Sequence, residues 1–315
     1  MIETRGLTKS FPAGKAGPVE AVRGVDLDVA EGVIFGFLGP NGAGKTTTLR
    51  ILTTLIEPDG GEATIAGVNV FTDPGGVRKV CGYVAQGGGT SGQVSAREEL
   101  VLQARLYGSG KAEARARTEA VIEAFELTEF ADRQCRTYSG GQRRRVDIAL
   151  GVIHRPKVLF LDEPTVGLDP QSRARLWDEV RRLRDEEGMT VFLTTHYLDE
   201  ADALCDRVSI IDHGRIVAEG TPLELKRDIA GDVVTLGVNG SAAAAADLLG
   251  GSPYVRRLET SQKGLLLYVD DASVAIPQIL RVLDGSGITF AGMELNRPTL
   301  DDVFLTKTGR LIRES

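Results

Sequence analysis

The chain has 315 residues, 42% of them hydrophobic and 26% charged, and a formal net charge of −7. This composition is that of a globular protein with room for one large or two ordinary domains, and the acidic balance argues against nucleic acid as a partner. No apolar run approaches 18 residues and no apolar core follows the charges of the N-terminus, so we expect neither a transmembrane helix nor a signal peptide. The dispersed cysteines fit neither a disulfide framework nor a metal site and are predicted to be buried.

The first two thirds of the chain predict two kinds of strand. Short alternating patterns in TRGLTKSF (4–11) and EAVRGVDLDVAEG (20–32) indicate an antiparallel layer packed on a core. The apolar runs VIFGFLG (33–39), KVLFLDE (157–163) and MTVFLTTH (189–196) do not alternate, which predicts strands covered by helices on both faces. Helical patterns lie between these runs, so the fold class is predicted to be α/β with a largely parallel core.

The pattern changes near residue 226. From there the sequence predicts the order βαββαβ and a short terminal helix, which indicates a small α+β domain of the ferredoxin-like kind. The run SAAAAADLL (241–249) is either a low-complexity segment or a helix. We favour a helix, because alanine is a strong helix former and the two leucines give the helix something to bury.

A glycine-rich stretch, GPNGAGKT (39–46), follows the first buried strand and precedes a helical pattern. It satisfies G-x-x-x-x-G-K-[ST], in which residues without a Cβ let backbone N–H groups cradle phosphate oxygens; the alternative is an ordinary glycine-rich turn. Lys45 is expected to reach the β- and γ-phosphates, and the Thr46 hydroxyl to ligate Mg²⁺. The predicted nucleotide contacts in this stretch are Gly39, Asn41, Gly42, Gly44, Lys45, Thr46 and Thr47.

Two carboxylates end the second buried strand, at the edge where ligands bind in open α/β sheets. Asp162 is the expected partner of Mg²⁺ through water, and Glu163 is placed to act as general base on an attacking water. By themselves such carboxylates fit a helix cap equally well. Together with the glycine-rich loop, they predict a magnesium-dependent phosphate site.

A second anion-binding element begins at YSGGQRRRV (138–146). Ser139 and Gln142 form the pattern of a capping box at a helix start, and two glycines between them leave backbone N–H groups uncovered. Two phosphate-binding elements in one chain suggest that two protomers hold one nucleotide from opposite sides. The arginines at 143–145 are either a solvated basic face or lie against phosphate or acidic groups.

Together, GPNGAGKTT, YSGGQ, FLDEPTVGLDP and TTH resemble the nucleotide-binding subunit of an ABC transporter, over roughly residues 1–225. The resemblance implies a P-loop ATPase domain (1–225) with a mixed sheet core, an antiparallel layer and a helical subdomain at about 87–155, followed by the small α+β domain (226–315). It also implies a head-to-tail dimer, with a second copy or a homologous ATPase subunit, that sandwiches two ATP molecules.

The same resemblance implies roles for single residues. Ser139, Gly141 and Gln142 would meet the γ-phosphate that is bound to Lys45 of the other protomer. Gln86 would contact Mg²⁺ and water and face the permease, and Asp169 would cross the dimer seam. His196 would hold the γ-phosphate and position Glu163 and the water, and Phe11 would stack on adenine. The alternatives are a core aromatic for Phe11, a surface turn residue for Gln86 and a structural strand-end residue for His196.

The stretches ILTTLIEPDGGEATIAGVNV, TTHYLDEADALCDRVSIIDHGRIVAEGTP and LNRPTLDDVFLTKTGR resemble the daunorubicin/doxorubicin-resistance ATPase group of bacterial exporters. Members of this group pair with a separate membrane permease, so the resemblance implies a cytoplasmic subunit held at the inner face of the membrane by that permease. The Gln86 region, continuing through GGGTSGQVSAREEL, is the expected docking groove.

Three other functions remain open at this point. The chain could be the ATPase of an importer or of a lipid exporter, with the same chemistry. It could be a soluble ABC protein of translation or DNA repair, although it has one set of motifs and no heptad run. A P-loop kinase for a small molecule would need neither YSGGQ nor a dimer.

Overall fold

A computed structural model describes residues 1–12, 17–229, 232–238, 242–261 and 264–309. The strands, in chain order, are β1 (Ile2–Phe11), β2 (Val19–Val29), β3 (Ile34–Leu38), β4 (Gly60–Ile65), β5 (Val68–Asn69), β6 (Cys81–Val84), β7 (Val158–Asp162), β8 (Thr190–Thr195), β9 (Arg207–Asp212), β10 (Arg215–Gly220), β11 (Asp232–Val238), β12 (Val255–Ser261), β13 (Gly264–Val269) and β14 (Phe290–Asn296). The helices are α1 (Lys45–Leu52), α2 (Pro74–Val80), α3 (Ala96–Leu106), α4 (Lys111–Ala124), α5 (Gly140–Val152), α6 (Pro170–Glu187), α7 (Leu198–Leu204), α8 (Pro222–Ile229), α9 (Ala242–Gly250), α10 (Ala272–Gly285) and α11 (Leu300–Thr308).

The contacts divide the chain into a first unit that ends at Glu219 and a second that begins at Gly220. The first unit is built on a sheet of strand order β10-β9-β3-β8-β7-β6. In this sheet β3 pairs in parallel with β8 and β9, and β7 pairs in parallel with β6 and β8. Every residue of β3, β7 and β8 is buried, which confirms the three non-alternating runs as covered parallel strands.

The second sheet of the first unit is the predicted antiparallel layer. Its strand order is β2-β1-β4-β5, and β1 pairs in antiparallel fashion with both β2 and β4. The core lies between this layer and the parallel sheet, where Phe35 and Phe160 pack on Phe192 with ring centroids 5.5 and 5.6 Å apart. Apolar residues of α1 belong to the same core, so the helix that follows the glycine-rich loop is fixed against both sheets.

The predicted helical patterns are confirmed as α1, α3, α4 and α5. In the segment between β6 and β7, α3 packs on both α4 and α5, and α5 also packs on β6. A bundle of helices is thus joined to the edge strand of the parallel sheet through α5.

The second unit has the predicted order βαββαβ. Its antiparallel sheet has the strand order β12-β13-β11-β14, and α9 and α10 contribute to one apolar core with β11 and β13. The alanine-rich run forms α9, with Ala245 and Leu249 in that core, so the helix prediction is confirmed. The terminal helix α11 packs on α8.

The sequence predicts no transmembrane helix, and buried cysteines outside any disulfide or metal site. None of the helices in the described ranges is long and apolar enough to cross a membrane. Cys81, Cys135 and Cys205 are buried free thiols, as predicted, and burial raises the pKa of Cys81 to about 12.

Candidate functional site

The predicted site residues follow four neighbouring strands of the parallel sheet. β3, β8, β7 and β6 lie side by side, and the glycine-rich loop, His196, Glu163 and Gln86 follow their carboxyl ends. The register holds these ends level, since Leu38 pairs with Thr195 and Asp162 with Thr194. Because parallel strands end at one edge, the sheet brings together side chains that are far apart in sequence.

The glycine-rich loop folds tightly between β3 and α1. Gly44 precedes α1 with φ +109°, and a Cβ there would lie 2.3 Å from the Ala21 carbonyl oxygen. A Cβ on Gly39 would lie 2.2 Å from the carbonyl oxygen of Ile211. Glycine is therefore required at both positions, and the N–H groups at the start of α1 meet no side chain of their own loop.

Lys45 is buried at the start of α1. Its Nζ donates to the carbonyl oxygens of Gly39 (2.7 Å) and Pro40 (3.0 Å) and lies 3.3 Å from Glu163 Oε1. Burial lowers the pKa of Lys45, and the charge of Glu163 opposes that shift. The ammonium group is thus held over the glycine-rich loop by acceptors on either side.

The Asp162 carboxylate joins three elements of the site. Its Oδ1 accepts hydrogen bonds from Thr46 Oγ1 (3.1 Å) and Thr194 Oγ1 (2.7 Å). The Thr46 hydroxyl and this carboxylate are hard oxygen donors of the kind that Mg²⁺ prefers, and Mg²⁺ takes few protein ligands beside phosphate and water. The described residues contain no group of three or more His, Cys, Asp and Glu side chains that could hold a metal by themselves. The donor set fits a phosphate-bound Mg²⁺.

Glu163 lies at the centre of the site. Its φ of +45° is unusual for a residue with a Cβ, and its N–H is held by both the side chain (3.0 Å) and the carbonyl (3.1 Å) of Thr194. Gln86 Nε2 donates to Oε2 at 2.8 Å, and His196 Nδ1 lies 3.3 Å from Oε1. Strain of this kind persists where the surrounding structure holds the residue, which is common in active sites.

The His196 ring packs against that of the neighbouring Tyr197. Its centroid lies 4.2 Å from that of Tyr197, and the guanidinium of Arg173 lies 4.8 Å from the Tyr197 ring centre. The backbone turns sharply after β8, because Tyr197 N–H donates to Thr195 Oγ1. His196 Nδ1 is buried, makes no hydrogen bond within the described residues and lies 3.3 Å from Glu163 Oε1.

The second anion-binding element is a well-formed helix start. Ser139 Oγ accepts from the Gln142 N–H (3.2 Å), and the Ser139 N–H donates to Gln142 Oε1 (3.0 Å), so the capping box is confirmed. Ser139, Gly141 and Gln142 line a groove of about 170 Å³ with Ser172 of α6. The structure thus places these residues at a groove of their own, and not in contact with Lys45 of the same chain.

The remaining predicted residues differ in how far they are exposed. Phe11 ends β1 with 39% of its surface exposed and Lys9 Nζ 5.6 Å from its ring centre, so the alternative of a core aromatic is wrong. Asp169 is exposed and caps α6: hydrogen bonds from the Ser172 hydroxyl and N–H lower the pKa of its carboxyl. In the glycine-rich loop, Asn41 and Gly42 are exposed and Thr47 is half-buried.

Comparison with known proteins identifies the family of this chain. A family model described as "ABC transporter" matches residues 22–166, and one described as "ATP-binding protein DrrA1-3-like, C-terminal domain" matches residues 220–308. The daunorubicin resistance ATP-binding protein DrrA3 of Streptomyces coeruleorubidus is 43% identical over 306 residues, 95% of either chain. The chain belongs to the ABC transporter family.

Other relatives place this ABC ATPase in the same group. The linearmycin resistance ATP-binding protein LnrL of Bacillus subtilis is 32% identical over the whole of both chains, and the Nod factor export ATP-binding protein I of Burkholderia thailandensis is 38% identical over 93% of each. A solved dimeric ATP-binding cassette in a post-hydrolysis state, bound to ADP and Pi, is 26% identical. It has a TM-score of 0.64 and covers 70% of this chain and 98% of its own.

One of the three arginines at 143–145 of this ABC ATPase is buried near the carboxylates of Asp147 and Asp162, as the second interpretation of these arginines allowed. Arg144 is buried, and its guanidinium donates to carbonyl oxygens of Ala85, Asp162 and Pro164. The interpretation of 143–145 as a solvated basic face is therefore wrong for Arg144. Arg144 lies on one face of α5 with the buried Ile148 and Gly151, but residues on other faces of this helix are buried as well, so helical periodicity alone does not single it out.

A groove of about 400 Å³ lies beside β6 and α5 of this ABC ATPase. Its lining includes Tyr83, Ala85, Gly88, Tyr107 and His154. His154 has a structural role in this groove. Its ring stacks on Tyr107 with centroids 3.7 Å apart, and its Nε2 donates to the Cys81 carbonyl oxygen at 2.9 Å, so it fixes one wall of the groove.

Proposed function

We propose that this ABC ATPase hydrolyses ATP with Mg²⁺ and energises export through a separate membrane permease. Lys45, Gln86 and His196 converge on the Glu163 carboxylate at the carboxyl edge of the parallel sheet, and this constellation supports the proposal most strongly. A phosphate-binding loop, a carboxylate base and a histidine at one edge are the parts that phosphoryl transfer to water needs.

The chain's own residues have distinct tasks in this proposal. The glycine-rich loop and the start of α1 bind the phosphates through backbone N–H groups, and Lys45 adds a positive charge. Glu163 orients the attacking water and accepts its proton, while Gln86 and His196 hold the carboxylate and the water. Phe11 offers an exposed ring for the adenine.

Thr46 and Asp162 are the residues that would hold Mg²⁺, with Gln86 contributing from the neighbouring strand end. The bound ion would supply positive charge to the phosphate oxygens. Asp162 is kept in place by Thr194, so its carboxylate needs no rearrangement to face the phosphates.

The site is proposed to be completed by a second protomer, either another copy or a homologous ATPase subunit. The anion-binding start of α5 includes Ser139, Gly141 and Gln142. Within one chain these residues line a groove that is separate from the glycine-rich loop. A head-to-tail dimer would bring this helix start to the γ-phosphate on Lys45 of the partner, and Asp169 would lie at the seam. The dimeric state of the related cassette supports this arrangement.

Permease docking is proposed for the groove beside β6 and α5, which continues into the loop after Gln86. The subunit would then work at the cytoplasmic face of the membrane. Relatives named for daunorubicin resistance, linearmycin resistance and Nod factor export support export over import, and they indicate a drug, lipid or natural product as the class of cargo.

Glu163→Gln tests the chemistry. The amide keeps the shape of the side chain but cannot accept a proton, so we expect ATP turnover to fall by about 10²- to 10⁴-fold while ATP binding persists. Light scattering with ATP and Mg²⁺ should then show a stable dimer. Glu179→Gln is the control, because Glu179 pairs with Arg182 on α6 and lies outside the site. Normal turnover in Glu163→Gln would refute the assignment of the base.

Affinity purification from native membranes in detergent tests the transport role. Recovery of a polytopic permease at about equal stoichiometry supports the proposal. Recovery of soluble partners alone, such as ribosomes or DNA-repair factors, would leave the ATPase chemistry intact and overturn the export function.

A further inference from the structure

The loop between β6 and α3, residues 85–94, is held at two points by one face of α5. We call it the Gln86 loop, because its second residue is the glutamine that contacts Glu163. Arg144 and Asp147 lie three residues apart on α5 and therefore on one side of the helix, and both are buried. Neither residue was assigned a role by the sequence or by the proposed chemistry.

Arg144 fastens the beginning of the loop. Its Nη1 donates to the Ala85 carbonyl oxygen at 2.7 Å, immediately before Gln86. Its Nε and Nη2 donate to the carbonyl oxygens of Pro164 (2.8 Å) and Asp162 (3.2 Å), on either side of Glu163. One rigid guanidinium thus ties together the backbones that carry Gln86 and Glu163, which exchange a hydrogen bond.

Asp147 fastens the middle of the loop. Its Oδ1 accepts hydrogen bonds from the N–H groups of Gly89 (2.9 Å) and Thr90 (3.2 Å). Gly88 has φ +75°, and a Cβ there would lie 2.5 Å from Asp147 Oδ2, so the loop passes the carboxylate at a distance that only glycine allows.

The hydrogen bonds of Arg144 and Asp147 to the backbone matter for the position of the loop, because both charged side chains are buried. A buried guanidinium or carboxylate is costly unless its hydrogen bonds are satisfied, and here the satisfying groups are the backbone of the Gln86 loop and of the segment around Glu163. Displacement of the loop away from α5 would leave the Asp147 carboxylate without its two backbone donors and Arg144 without one of its three acceptors. The loop and α5 are thus expected to move together.

We propose that Arg144 and Asp147 are positioning residues that join the Gln86 loop, the Glu163 segment and α5 into one mechanical unit. The inference rests on the proposed roles of Gln86 and Glu163. The same helix begins at Ser139, and the loop borders the groove proposed for the permease. A shift of α5 when the partner's nucleotide meets its start would then be carried to the groove through these two side chains.

Hydrogen exchange on the full chain tests the Asp147 contact. Asp147→Leu and Asp147→Asn are neutral and similar in size, but only asparagine offers an oxygen to the Gly89 and Thr90 N–H groups. We expect the peptide covering 85–94 to exchange about tenfold faster in Asp147→Leu and to stay near the wild-type rate in Asp147→Asn. Equal exchange in Asp147→Leu and the wild type would overturn the role of Asp147.

Steady-state ATPase kinetics test the Arg144 contact. We expect Arg144→Gln to lower kcat by about tenfold or more with little change in KM, because the Glu163 segment is misplaced while the phosphate loop is intact. Arg144→Lys keeps the charge and should recover part of kcat. Arg143→Gln is the matched control: it removes the same charge one residue away, and Arg143 donates to the Cys135 carbonyl oxygen instead of the loop.

The outcomes separate this inference from the proposed function. Equal losses of kcat in Arg144→Gln and Arg143→Gln would overturn the role of Arg144 even where Glu163→Gln is inactive as expected. Thermal unfolding of each variant shows whether a loss of kcat comes from a loss of folding. The exchange experiment measures no enzymatic activity, so its result on Asp147 remains valid if the chain catalyses another reaction.

Discussion

At the scale of single residues, the site depends on Glu163, whose backbone and carboxylate are both held by neighbouring residues. Glu163 adopts a backbone conformation that is unfavourable for a side chain with a Cβ, and Thr194 holds its N–H in that position. Thr194 also donates to Asp162, so one threonine on β8 holds the backbone of Glu163 and the carboxylate of Asp162. A buried cation then lies against Glu163, which limits the directions its carboxylate can face.

Replacement of Lys45 by alanine tests the phosphate loop at this scale. The change removes a charge-assisted contact to phosphate, and we expect ATP affinity to fall by about 10- to 100-fold, since such a hydrogen bond contributes roughly 1.5–3 kcal/mol. Titration of a fluorescent ATP analogue measures this. Lys157→Ala, at an exposed position before β7, is the control. Unchanged affinity in Lys45→Ala would contradict the phosphate role.

The sequence predicted the roles of residues whose contacts lie within a few positions along the chain. It did not predict the contacts that residues make with distant parts of the chain. Lys45 and the Ser139 capping box follow from short spacings whose geometry is fixed by a helix start. Arg144 is one of three consecutive arginines, which point in directions about 100° apart around α5. Which of them faces the interior depends on where β6 and β7 lie against the helix, and the composition of the triplet does not contain that information.

At the scale of elements, α5 combines two tasks. Its first turn presents uncovered N–H groups beside Ser139, and its next turn holds the Gln86 loop through Arg144 and Asp147. The sequence predicted this helix and the strands at 33–39, 157–163 and 189–196, because each has a local pattern. It did not predict the order β3-β8-β7-β6, since pairing of strands that are far apart in sequence leaves no local signal.

Ser139→Ala separates the structural from the functional task of this helix start. Loss of an N-cap costs about 1 kcal/mol, which lowers Tm by about 2–4 °C for a unit of this size. Ser95 caps α3 with Glu98 through the same kind of capping box, so Ser95→Ala is expected to lower Tm similarly. Only Ser139→Ala should also reduce ATP turnover, because only Ser139 is proposed to meet the partner's γ-phosphate.

Calorimetry and ATPase assays on both serine variants measure these effects. Similar turnover in Ser139→Ala and Ser95→Ala would mean that Ser139 is only a cap, and the proposed contact across the dimer would be wrong.

At the scale of the whole molecule, each of the two units has its own apolar core. The core of the first lies between the parallel sheet and the antiparallel layer, and the core of the second lies between its sheet and the helices α9 and α10. The described residues of the glycine-rich loop, β7, β8 and the start of α5 all belong to the first unit. Nucleotide binding is therefore expected to need only that unit.

Deletion of residues 221–315 tests this division of tasks. We expect the shortened chain to fold and to bind ATP within about twofold of the full chain, because its core and its phosphate loop are complete. We also expect weaker ATP-driven dimerisation or weaker association with the permease. A chain that ends at Gly309 is the control, since it keeps every described element. If the shortened chain dimerised and associated with the permease as the control does, the second unit would have no part in assembly, and its ordered core would require another explanation.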